Sequence, residues 1–118
     1  MPLVYACIAP HAGDLIDDLN KVTLTRQTLH DMGARLAALE PEIIVMVNPH
    51  GFRVQEALSI SVAERAVAEW SPEVKLDFVM DPDLAHAIAD EATTSNVPVV
   101  RYIYGASGGD SCYIPLDW

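Results

Sequence analysis

The sequence predicts an α/β fold, with a central mostly parallel or mixed sheet flanked by helices, and three observations carry that prediction. Two uninterrupted apolar runs, Leu3 to Ala9 and Ile43 to Val47, have the composition of strands buried on both faces. Between them Leu29, Met32, Leu36 and Leu39 recur at three- and four-residue steps, the stripe of an amphipathic helix. Further along, short alternating runs are interleaved with a second helical pattern.

In chain order, the first run stops at Pro10 and gives way to 11-HAGDLIDDLN-20, which reads as an Asp-rich loop. The helix follows over Val22 to Glu40, with Thr23 or Thr25 as its cap and Pro41 at its end. Gly33 costs such a helix about 1 kcal/mol against Ala, so close packing against a strand is expected there. The second run then stops at Pro49. Strand, helix and strand make a parallel βαβ unit, in which ligand sites gather at the carboxyl ends of the strands.

The segments 57-ALSISVA-63 and 74-VKLDFVM-80 alternate as strands do, the second half-exposed. Asp81 and Pro82 form the N-cap and first position of a helix over Asp83 to Thr93, with Leu84, Ile88 and Ala92 facing inward. The run 97-VPVVRYIYG-105 is another strand, 105-GASGGDS-111 a turn, and 112-CYIPLDW-118 enters a further ordered element.

The length of 118 residues suits one α/β domain, and 51% hydrophobic against 20% charged residues is the balance of a folded globular chain. Seventeen acidic against seven basic residues give a net charge of -10. Such a surface repels a phosphate backbone or an anionic membrane, so neither nucleic acid nor membrane is an expected partner. Cys7 and Cys112 lack CxxC spacing and no secretory leader precedes them, which points to a reducing cytoplasm with both thiols buried.

Of the four histidines, His30 and His86 read as partly exposed residues of the two helices. His11 and His50 differ, because each follows a proline that ends an apolar run. Proline fixes its own φ and restricts the residue before it, so the direction of the following imidazole is set by the scaffold. Spacing leaves open a metal-binding pair and a pair of hydrogen-bonded strand caps. A catalytic ion needs a third protein ligand; Asp14 is the nearest candidate, although Asp14, Asp17 and Asp18 also read as a solvated acidic loop. A small metal-dependent hydrolase using His11, Asp14 and His50 is a further reading.

The strand ending Pro10-His11, the segment 24-LTRQTLHDMGARLAALEPEIIVMV-47 and the following Asn48-Pro49-His50-Gly51 resemble the class III extradiol ring-cleavage dioxygenases, the LigB-like family, whose fold Memo-like proteins share. The ending 114-IPLDW-118 resembles the start of a later family segment, with Trp118 where many members carry histidine. The resemblance implies a LigB/Memo-like fold and a non-haem Fe(II) whose two histidine ligands correspond to His11 and His50. It also implies a catechol-type aromatic substrate and O2 as partners. The glutamate ligand and the acid/base histidine are then expected beyond Trp118, making residues 1–118 the N-terminal portion of a larger catalytic domain. Two imidazoles alone accept Zn(II) or another divalent metal as readily as iron. An uncovered sheet face implies a homo-oligomer. The alternative within this resemblance is a Memo-like metal-binding or regulatory protein without oxygen chemistry.

Overall fold

Helix α1 occupies Thr23–Ala38. The structure, a computed structural model, describes residues 2–10, 15, 21–48, 52–71, 74–103 and 111–113, and the chain divides into two units, residues 1–47 and 48–117. In α1 the half-buried positions are Thr25, Arg26, Leu29, Met32 and Leu36, the expected stripe without Leu39, which is exposed. Neither expected threonine caps the helix. Its N-cap is Val22, held at φ 45° without a side-chain cap hydrogen bond, in a backbone region that β-branched residues rarely adopt. At the other end Glu40 sits at φ 46° and its N–H donates to the Ala37 carbonyl at 3.0 Å. Pro41 has no N–H, so the second hydrogen bond of the usual left-handed helix ending cannot form. A Cβ built on Gly33 meets nothing within 4 Å, so no close packing explains that glycine.

The two apolar runs depart from expectation. Residues 2–10 and 42–48 carry no strand pairing, and Ile8 is 98% and Val47 89% exposed. Cys7 is exposed as well, not buried. The physical reason lies in what such runs require. A parallel strand must be covered on both faces, and helix α1 can cover one face at most.

Residues 48–117 hold the strands. β1 (Leu58–Ser61), β2 (Arg65–Ser71), β3 (Val74–Val79), helix α2 (Pro82–Thr94), β4 (Val99–Tyr102) and β5 (Ser111–Tyr113) follow in order. β1 pairs in parallel with β4, from Leu58 opposite Val99 to Ser61 opposite Tyr102. The Leu58 N–H donates to the Pro98 carbonyl and the Val62 N–H to the Tyr102 carbonyl, extending that ladder at both ends. β2 stands between β3, antiparallel, and β5, parallel, giving the order β3-β2-β5 with a register shift between Glu69 and Ser71. Parallel and antiparallel pairings are therefore mixed, as expected for an α/β chain, although the parallel pairs are β1 with β4 and β2 with β5. The Ser111–Tyr113 pairing with β2 agrees with an ordered element near the C-terminus.

α2 forms where Asp81, Pro82 and the apolar spacing place it. The Leu84 N–H donates to the Asp81 side chain at 2.9 Å, Pro82 fills the first position and Asp83 lies in the first turn. At its end Asn96 adopts φ 60°; the Asn96 N–H reaches the Thr93 carbonyl and the Val97 N–H the Ala92 carbonyl, completing a Schellman ending. The inner face is centred on Ala89, which is 0% exposed, with Leu84, Ala85 and Ala92 half-buried; Ile88, expected inside, is exposed. The Arg101 guanidinium on β4 donates to Asp90 on α2, tying helix to strand.

The buried apolar residues among those described are Ala63, Ala66 and Ala89, with Met80 packed on the first two. On the hairpin, Arg65 donates to Asp77 at 2.6 Å. That hydrogen bond and the Asp77 charge raise the Arg65 pKa further above its ordinary value, so the guanidinium stays charged. Both side chains are about half exposed, and an open pair of this kind adds little to stability.

Candidate metal centre

His11 and His50, with Asp14, Asp17 and Asp18, lie outside the described residues. His30 on α1 and His86 on α2 are exposed, in agreement with the sequence. Glu56, another carboxylate near the second Pro-His segment, is exposed at φ 58°. Among the described residues no group of three or more His, Cys, Asp or Glu side chains could hold a metal.

What the structure does define is the chain on the carboxyl side of His50. Phe52 stacks on Tyr102, the last residue of β4, with ring centroids 5.2 Å apart and planes tilted by 34°. Its carbonyl accepts a hydrogen bond from the Ser59 hydroxyl on β1. Two residues later Val54 pairs with Ala57 in an isolated antiparallel bridge, so the chain turns back into β1. Two contacts therefore fasten Phe52 to the parallel pair β1 and β4, and the bridge closes the turn that leads into β1. Aromatic contact at this separation contributes about 0.5–1.5 kcal/mol beyond the area it buries.

Phe52, Ser59 and Tyr102 are the residues that sequence reasoning missed. The signal for Phe52 is its place directly after His50-Gly51; no local pattern pairs it with a tyrosine fifty residues away in β4. Tyr102 stands at the carboxyl end of a parallel strand, where open α/β sheets gather their ligands.

Helices interleaved with parallel and antiparallel strands define an α/β protein. Residues 2–116 match the family described as the catalytic LigB subunit of aromatic ring-opening dioxygenase, and the chain belongs to that family. The matched range contains both Pro-His pairs. Neither a curated protein nor a solved structure matches the chain. No helix among the described residues is long and apolar enough to cross a membrane.

Proposed function

We propose that this chain provides His11 and His50 to the metal centre of an extradiol ring-cleavage dioxygenase acting on catechol-type aromatics. The observation that carries the reading is the family match over residues 2–116, which includes both Pro-His pairs. The donor set suits the group. Neutral imidazole is the commonest ligand for divalent iron and its neighbours, and two histidines with one carboxylate leave adjacent positions open. Bound Fe(II) would supply a common point at which the two hydroxyl groups of a catechol and O2 meet.

The chain's own part is to hold and orient. Each histidine presents one ring nitrogen as a ligand and keeps the other as an N–H donor, which fixes its tautomer. Pro10 and Pro49 stiffen the backbone immediately before the two imidazoles. The third ligand, a carboxylate, and the acid/base histidine come in this reading from sequence beyond Trp118, and residues 1–118 are the N-terminal portion of the catalytic domain. The exposed runs at Leu3 to Ala9 and Ile43 to Val47 support that reading, because apolar backbone of this length needs a partner to cover it.

Ring opening is measured with catechols, Fe(II) and O2, using the 118-residue chain beside a form extended past Trp118. Turnover confined to the extended form is the expected result. Strong turnover by the 118-residue chain overturns the need for further ligands. Metal binding without turnover in either form favours the Memo-like alternative.

A further inference from the structure

We propose that the outer edge of strand β3 binds the same edge of a second copy of this chain, antiparallel, in one register set by Lys75 and Asp77. The surface lies wholly within residues 48–117 and is independent of the ring-cleavage reading. Among the described residues β3 pairs with a strand on one side, in the order β3-β2-β5. The Met80 N–H donates to the Glu64 carbonyl at 2.9 Å. Hydrogen-bonded pairs recur at every second residue of an antiparallel ladder. With Ala66 opposite Phe78 and Ala68 opposite Leu76, the even-numbered residues of β3 therefore turn their backbone groups toward β2. Those of Lys75, Asp77 and Val79 point the other way, along the edge. All three residues are exposed, Val79 by 83%.

Two such edges can meet in several registers, and the side chains choose between them. With Leu76 opposite Leu76 of the second copy, Lys75 stands opposite Asp77 of the second copy, and Asp77 opposite its Lys75, each in a hydrogen-bonded pair. The registers on either side set Lys75 against Lys75 or Asp77 against Asp77. Opposite charges directly across a ladder stabilise it and like charges weaken it. A row of like charges guards an edge against every copy; Lys-Leu-Asp instead admits the centred register. An ammonium has three donors and a carboxylate two oxygens, so contacts within the hairpin, such as Arg65 on Asp77 at 2.6 Å, exhaust neither group. The apolar side chains agree. Leu76 and Phe78 are 41% and 51% exposed and share a sheet face with buried Ala66. In this register Leu76 meets its own equivalent in the closer, non-hydrogen-bonded pairing, and Phe78 lies diagonally across from it.

The test is sedimentation equilibrium of the 118-residue chain in low salt, with the charge reversals Lys75→Glu and Asp77→Lys. All samples carry Ile44→Lys with Met46→Lys, so that the exposed runs do not contribute. The parent chain should form a dimer. Each reversal alone should weaken it by about 10-fold or more, because two pairs of like charge then face each other. An equimolar mixture of the two reversals should recover association to within about 3-fold of the parent, as mixed dimers, since every contact again joins an ammonium to a carboxylate. Lys75→Glu leaves the Arg65–Asp77 pair intact, and its effect alone decides the matter if Asp77→Lys does not fold. Reversals that leave the dimer unchanged, or a mixture as weak as its components, place the interface elsewhere and overturn the proposal. A monomeric parent chain overturns it too, and gives the edge to another segment or partner.

Discussion

Helix α2 begins at an aspartate whose side chain accepts from the N–H of the third helical residue, Leu84, whereas α1 begins at Val22 in a left-handed conformation with no side-chain cap. α2 ends with both hydrogen bonds of a Schellman motif around Asn96; α1 ends with one, around Glu40, because Pro41 cannot donate the other. The middles differ too. α2 buries Ala89 completely, and α1 buries no residue. The difference teaches that α2 is encoded by its own residues, while α1 carries a correct apolar stripe between ends that its sequence leaves poorly satisfied.

The largest effect should come from filling the space at Ala89. Ala89→Leu is expected to cost about 1–3 kcal/mol by overpacking, read as a lower urea midpoint, while Ala37→Leu on exposed α1 changes the midpoint little. Removing the caps comes next. Asp81→Ala should destabilise by about 1 kcal/mol, whereas Thr23→Ala should stay within about 0.5 kcal/mol because no threonine caps α1; an equal loss in both would erase the contrast. Relief of the left-handed glutamate is smaller and of opposite sign. Glu40→Gly should raise stability by about 0.5–1 kcal/mol, visible as a higher thermal midpoint, and Asn96→Gly should do less because asparagine tolerates that conformation. The smallest effect on unfolding free energy belongs to Ile44→Lys with Met46→Lys, both positions being exposed. Light scattering should show less self-association, the expected result if these runs drive oligomer formation.

Sequence legibility followed the same line. Asp81, Pro82 and the periodicity behind them located α2 to within a residue at each end, because capping and φ restriction act locally. The strands β1 and β3 appeared where alternation placed them, and β4 within the run Val97 to Gly105, each with shorter bounds. β2 was missed: Arg65, Val67 and Glu69 alternate with Ala66 and Ala68, but alanine and glutamate are weak strand formers, and the pairing with Val74–Val79 decides the conformation. The runs at Leu3 and Ile43 show the reverse error. β-branched composition signals a strand only when a neighbour supplies the ladder, and composition cannot name that neighbour. At the candidate site, the Pro-His pairs were legible as spacing, whereas the Phe52 and Tyr102 contact depends on tertiary structure.

The alanine core has a calorimetric consequence. Heat capacity rises on unfolding in proportion to the apolar area exposed, typically about 12–15 cal/mol/K per residue. Among the described residues the buried apolar side chains are three methyl groups, at Ala63, Ala66 and Ala89. Unfolding of this chain alone should therefore give a heat-capacity step well below that norm and a shallow, broad endotherm. Any partner or further segment that covers the exposed runs should restore the step, so the size of that step reports how completely the domain has been assembled.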